Sequence, residues 1–290
     1  MRARFSATMS DLLSVDTRTA LVLADIGPLD LAAGTPAAER VVNVGIREQA
    51  MIGVAAGLAL AGLRPFVHTY APFLVERPFE QIKLDLSHQG LGAVLVSIGA
   101  SYDAAAEGRT HQCPGDIALL STLPGWRLHT PGHPDEVEAL VRGAACADDR
   151  QYIRLSTQEN RRAFPVDGRI HLVREGAGTL VLAIGPLLDA ALAAAGGEGY
   201  AVAYTATPVP LDRDGLRELS SGFDRVAVLE PFLEGTTAAA VGAALGGSGV
   251  LVEHIGVGVG EQRRYGTPAD HARLHGLDAP GIRRRLGPGS

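Results

Sequence analysis

The stretch Val41-Val42-Asn43-Val44-Gly45-Ile46-Arg47-Glu48-Gln49-Ala50-Met51 reads as a short apolar strand, a tight glycine turn and a helix that opens on a carboxylate. Gly53-Val54-Ala55-Ala56-Gly57-Leu58-Ala59 continues that helix. Glu48 therefore sits among apolar residues at a helix N-terminus. The helix dipole favours a negative charge there, and burial of a charge is costly unless it is partnered. Two readings of Glu48 follow. It is either a capped, solvent-screened helix start, or a buried carboxylate that presses a hydrogen bond onto a bound group.

Apolar strands alternate with helical patterns around this stretch. Ala20–Asp25, Val41–Val44, Pro65–Tyr70, Ala93–Ile98, Trp126–Thr130 and Tyr152–Leu155 read as strands. Helices are expected over Gln49–Leu60, Pro78–His88, Ile117–Thr122 and from Pro134 through Ala147, with a long Gly- and Ala-rich loop over Gly99–Pro114. Strands that are apolar on both faces and separated by helices imply a mostly parallel sheet covered on both sides. The polar stretch Ser156–Gly178 marks a boundary, after which the pattern restarts with strands at Thr179–Ile184, Tyr200–Tyr204, Val226–Glu230 and Val250–Ile255. Helices are read over Leu187–Ala195 and Thr236–Leu245. The expectation is an α/β protein of two domains, 1–164 and 165–290, each a mostly parallel sheet covered by helices.

Composition narrows the function classes. A chain of 290 residues with a net charge of -6 has no general nucleic-acid footprint. The run Arg283-Arg284-Arg285 reads as a solvated last helical turn, and Leu286 to Ser290 as a frayed end. Cys113 and Cys146 form neither a disulfide framework nor a metal site, which suits a reduced, cytoplasmic setting. No segment reads as a signal peptide or a membrane span.

Ligands in open parallel sheets sit at the carboxyl ends of the strands. Asp25, Tyr70 and the loop Gly99–Pro114 follow strand ends, and Glu48 opens the helix after one. Phe73 lies one turn beyond Tyr70. Aromatic rings beside a buried carboxylate make a slot for a flat heteroaromatic ring, although on residue type alone ordinary core packing is the favoured account of Tyr70 and Phe73.

The Glu48 segment closely resembles the transketolase family of thiamine diphosphate enzymes, in which such a Glu contacts the cofactor's aminopyrimidine ring. Thr69-Tyr70-Ala71-Pro72-Phe73 extends the resemblance, with Tyr70 where Phe is usual. Glu107-Gly108-Arg109-Thr110-His111-Gln112 resembles the family loop Asp-Gly-Pro-Thr-His-Gln, with Glu107 in place of Asp. The resemblance implies that Glu48, Asp25, Tyr70 and Phe73 bind the cofactor, and that Glu48 and His111 are catalytic. It also implies substrate contacts by His111, Glu107 and Arg109. Family members acting on sugar phosphates carry Arg where Thr157 stands, His where Gly99 stands and Ser where Leu29 stands. Loss of these phosphate ligands points to atypical or non-phosphorylated substrates, with Arg109 and Arg47 the nearby cations.

The family holds the diphosphate and its Mg²⁺ through a Gly-Asp-Gly segment followed by paired Asn on another domain. Gly115-Asp116-Ile117 lacks the second Gly and the downstream asparagines, so no metal ligand is assigned to this chain. The resemblance is strong over 1–160 and holds only in pattern beyond. The implied protein is the C-terminal subunit of a two-component transketolase, with the cofactor shared with an N-terminal subunit that binds most of the Mg²⁺. A heterotetramer is expected, with the second domain supporting homodimerisation; Glu230 and the Gly/Ala-rich helix after it are equally consistent with an interface and with close core packing. Sugar or keto compounds are the substrates. The rival readings are the β-subunit of a 2-oxoacid dehydrogenase, a deoxyxylulose-phosphate-synthase-like activity, and a non-catalytic regulatory subunit of the same fold.

Overall fold

The computed structural model describes residues 1–26, 35–197, 199–260 and 263–287. Leu29 lies outside the described residues, as do the last three residues of the chain. Eleven strands are seen among the described residues: β1 (Thr19–Leu23), β2 (Val41–Asn43), β3 (Arg64–Tyr70), β4 (Val94–Ile98), β5 (Trp126–His129), β6 (Arg150–Arg154), β7 (His171–Arg174), β8 (Thr179–Ile184), β9 (Tyr200–Thr205), β10 (Arg225–Leu233) and β11 (Leu251–Val257). The first six form a parallel sheet in the order β2-β1-β3-β4-β6-β5. The others form a second sheet, β11-β10-β8-β9-β7. Its strands are parallel except β7, which runs antiparallel to β9 at the edge.

Every residue of β1 and of β8 is buried, as strands covered on both faces require. Helix Arg2–Val15 covers one face of the first sheet through Phe5, Met9 and Leu13, beside Val137 and Val141 of helix Pro134–Ala145. The expectations named no helix over 2–15. Helix Glu48–Leu60 covers the other face, where Met51, Ile52 and Ala55 pack with Val22 and Val67. Its outer face is also apolar, because Ala50, Gly53, Gly57 and Leu60 are exposed.

Three further corrections to the expected elements stand out. Edge strand β7 lies within the stretch read as a polar boundary. Helices Arg213–Ser220 and Pro268–His275 were not expected. The helix expected over 78–88 is a succession of wide turns, Pro72–Glu76 and Ile82–His88, around a short α-helical piece at Phe79–Gln81. The basic run does end a helix, Ala279–Leu286. Among the described residues no helix is long and apolar enough to cross a membrane.

The two sheets are joined by backbone hydrogen bonds. Leu128 N–H donates to Val209 O and Thr130 N–H to Ala206 O, each at 2.7 Å, and Leu233 N–H donates to Pro114 O at 2.8 Å.

Candidate active site

The strand order reverses between β1 and β3, because the chain turns from β1 to β2 on one side and returns to β3 on the other. Crevices at such switch points, beyond the carboxyl ends of the strands, are where ligands bind. Asp25, Glu48 and Tyr70 all follow strand ends at this point.

Glu48 is 2% exposed. It opens its helix without a side-chain cap from Arg47. Its Oε1 accepts from Arg77 Nη1 at 2.6 Å. Among the described residues its other oxygen, Oε2, accepts nothing. The guanidinium of Arg77 also lies over the Phe73 ring, 4.2 Å from its centroid. Phe73 packs edge-on against His111 at 4.9 Å and against Tyr70 at 6.2 Å, and Tyr70 packs edge-on against His111 at 5.3 Å. Glu48, Arg77, Phe73, His111 and Tyr70 thus form one continuous group. The three rings interlock, so they make a wall rather than two separate plates.

Asp25 stands elsewhere. It is exposed, with a left-handed backbone at φ 46°, a conformation that Asp tolerates better than most residues. Its N–H and that of Gly45 both donate to Asn43 Oδ1, which ties the end of β1 to the turn before Glu48. Among the described residues it bonds neither to Glu48 nor to the aromatic group.

The loop after β4 carries His111 and turns back at Gly99, Ser101 and Gly108, all with positive φ. An ideal Cβ at position 99 would lie 2.7 Å from Tyr70 Cδ1, so the glycine lets Tyr70 close against the loop. A network holds the loop from below. Arg154 Nε donates to Asp116 Oδ2 and Arg154 Nη2 to Ser101 Oγ, at 2.7 and 2.6 Å. Ser101 Oγ in turn donates to Pro231 O in the second sheet at 2.6 Å. Tyr152 Oη completes the group by donating to Asp116 Oδ2 at 2.7 Å. Asp116, in the segment compared with the diphosphate motif, is thus a fully buried structural carboxylate.

Glu107 and Arg109 are exposed on the loop, and His111 is half-buried. Arg109 curls back so that its Nη1 donates to Gln112 O at 2.8 Å. His111 Nδ1 lies 3.0 Å from Thr110 Oγ1. Arg47 is exposed before Glu48, and the cation that reaches the carboxylate is Arg77. Its one sequence signal is the four-residue spacing from Phe73, which places a cation and a ring on one helical face.

The loop also borders a cavity of about 700 Å³ lined by Tyr70, Gly99, Asp103, Glu107 and Thr157. Asp103 is another residue the sequence did not single out. It is 8% exposed, and its Oδ2 accepts from Thr157 N–H at 2.9 Å, while among the described residues Oδ1 has no hydrogen-bond partner. Burial pushes its carboxyl above the usual range, against the pull of the Thr157 N–H, the Ser156 and Thr157 hydroxyls and the Arg154 cation. Among the described residues no group of three or more His, Cys, Asp or Glu is placed to hold a metal ion.

Residues 1–162 match the family described as transketolase, pyrimidine binding domain. The chain is 46% identical over 290 residues to an uncharacterized 33.6 kDa protein in the fasciation locus of Rhodococcoides fascians, covering 96% of this chain and 91% of that one. It is 32% identical over 254 residues to 1-deoxy-D-xylulose-5-phosphate synthase of Thioalkalivibrio sulfidiphilus, covering 84% of this chain but only 39% of the synthase. It is also 32% identical over 164 residues to the 6-deoxy-6-sulfo-D-fructose transketolase subunit SqwH of Clostridium sp., covering 54% of this chain and 50% of that subunit. Among solved structures, a split gene transketolase described as an inactive beta4 tetramer superposes with a TM-score of 0.82 at 26% identity, over 98% of this chain and 96% of that one.

Proposed function

The chain belongs to the transketolase family, and on that premise we propose that it is the C-terminal subunit of a two-component enzyme. That enzyme moves a two-carbon ketol unit from a ketose donor to an aldehyde acceptor. The observation that carries this reading is Glu48, a buried residue whose Oε1 is held by Arg77 and whose Oε2 accepts no hydrogen bond among the described residues. A buried acceptor of that kind fits the ring N–H of an aminopyrimidine. The residues therefore suit the pyrimidine end of thiamine diphosphate, with Tyr70 and Phe73 as its apolar wall.

When bound, thiamine diphosphate supplies the nucleophilic carbon that breaks and makes the carbon–carbon bond beside a carbonyl. Glu48 accepts the ring N–H and fixes the ring's orientation. His111, held edge-on by Tyr70 and Phe73, donates to a substrate oxygen or accepts from a substrate hydroxyl. Glu107 and Arg109 flank it as further substrate contacts. Asp25, at the end of β1, would help to hold the cationic thiazolium side of the cofactor.

The diphosphate and its Mg²⁺ fall to a partner subunit. The exposed apolar face of helix Glu48–Leu60 supports this, as does Ile46, 70% exposed just before Glu48. The split relative, an inactive tetramer of one chain type, supports the same division of labour. We place homodimerisation in the second domain of a heterotetramer. Thr157 and Gly99 in place of charged phosphate ligands favour substrates without the usual terminal phosphate. The test is to pair the chain with a diphosphate-binding subunit and follow labelled two-carbon transfer by mass spectrometry. Transfer that needs both subunits and Glu48 is expected.

A second reading is favoured by the synthase relatives, which match most of this chain. It has a 2-oxo acid as donor, with loss of carbon dioxide. Carbon dioxide release without ketol transfer in the same assay would replace the first reading by the second.

A further inference from the structure

Besides Glu48, Asp103 is a second buried carboxylate with a spare oxygen: among the described residues its Oδ1 accepts no hydrogen bond. A buried polar atom without a partner is costly, and fully folded proteins retain few of them. Here the atom belongs to a residue that lines a cavity large enough for a sugar, about 700 Å³. Tyr70 belongs both to the lining of this cavity and to the aromatic wall around His111.

The charges around this cavity disfavour an anion. Asp103 and Glu107 contribute two carboxylates to the lining; the cations among the described lining residues are Arg2, exposed at the start of its helix, and the Met1 α-ammonium, which is already paired with Glu159. Thr267 brings the N-terminal end of helix Pro268–His275 to the lining. That positive end is already met by Asp270, whose Oδ2 accepts from Thr267 N–H at 2.9 Å and Thr267 Oγ1 at 2.7 Å. Position 99 has no room for a charged side chain, because a Cβ there would strike Tyr70. Thr157 spends its N–H on Asp103 Oδ2.

We propose that this cavity receives the uncharged, hydroxyl-bearing end of the substrate, and that Asp103 selects it by accepting a hydroxyl hydrogen bond on Oδ1. The proposal rests on the transketolase reading and names the substrate class for that site. A site built to hydrogen-bond a hydroxyl rejects analogues that leave its polar group unpaired, and a phosphate brought beside two carboxylates meets repulsion as well.

The experiment uses the complex of this chain with its diphosphate-binding subunit. D-erythrose and D-erythrose 4-phosphate serve as matched acceptors, compared by kcat/KM and by calorimetric binding. The expected result is a preference for free erythrose of about tenfold or more, with Asp103→Asn raising KM for free erythrose by a similar factor, since each tenfold step equals one lost hydrogen bond. Asn keeps an oxygen for Thr157 N–H, so the variant tests the spare acceptor rather than the loop. Thr157→Arg, which adds a cation to the lining, should move the preference toward the phosphate. Tighter binding of the phosphate by the unaltered complex overturns the proposal, as does an Asp103→Asn variant with the same preference. Exchange of the cofactor's C2 proton, measured without acceptor, reports the transketolase reading separately. If that exchange is absent, the transketolase reading fails, and the calorimetric comparison still decides what the cavity binds.

Discussion

Arg77 Nη1 stands 2.6 Å from Glu48 Oε1, across 29 residues of sequence, with its guanidinium over the Phe73 ring. One side chain therefore neutralises the buried carboxylate and braces the aromatic wall. Arg77→Ala should lower the thermal midpoint by a few degrees, corresponding to about 1–2 kcal/mol for a half-exposed partner of a buried charge. Arg77→Lys should restore the charge but not the flat contact with Phe73, and recover only part of the loss. Unchanged stability in Arg77→Ala would show that the pair carries no energy.

Glu48→Ala should reduce turnover of the assembled enzyme by about 10²–10⁴-fold, the range associated with a positioned proton-handling group. The fold should persist, because the side chain leaves a small space at a helix end and not inside a sheet. Circular dichroism checks the fold and single-turnover assays check the chemistry. Turnover within threefold of the unaltered enzyme would remove Glu48 from the mechanism.

Asp116→Ala should be far more damaging to stability. It strands Arg154 with its charge fully buried, and loss of one partner of a buried pair costs about 3–5 kcal/mol. Urea unfolding reads that loss directly. A change under 1 kcal/mol would mean that Ser101 and Tyr152 hold the network without the carboxylate.

Stability should also fall with acid in a particular window. His68 and His129 are buried, and desolvation lowers each to about 4. Both bind a proton in the unfolded chain near pH 6.5 but not in the folded one. Their contribution is therefore intact above about pH 6.5 and lost as pH falls toward 4, at about 3 kcal/mol each when complete. Denaturant midpoints at pH 7 and pH 5 measure it. His68→Gln should flatten the slope, and an identical slope would assign the acid sensitivity to other groups.

Gly99→Ala should disturb the site without touching a polar group. The position has φ 72° and faces Tyr70, so a methyl group forces the ring or the loop to move. A loss of turnover larger than the loss of stability is expected, measured on the same preparation.

Much of this architecture is legible in the residues themselves. All-apolar runs such as Ala20–Leu23 and Val94–Val96 can only be strands covered on both faces, and the glycine turn before Glu48 announces a helix start at a strand end. Other elements leave weak traces. Helix Arg2–Val15 mixes Ser, Thr and Arg with its apolar residues, so its buried stripe is faint. Strand β7 has one ladder partner and an irregular register, and its four residues read as part of a polar linker. The Arg77–Glu48 pair is hidden for a different reason. Arg77 ends the wide turn Pro72–Glu76, whose period is not that of a regular α-helix, so α-helical spacing does not predict which way its side chain points. Asp103 is hidden because burial inside a long loop has no periodicity to betray it.

The hydrogen bonds from Arg154 through Ser101 to Pro231, with Leu233 donating to Pro114, have a consequence for how this chain can be divided. A fragment ending near residue 160 would contain every candidate side chain named above. It would still lack the anchorage that gives the His111 loop its shape. The candidate site residues and the last anchor of their loop, Pro231, are encoded in different halves of the gene, which ties the inheritance of one half to the other.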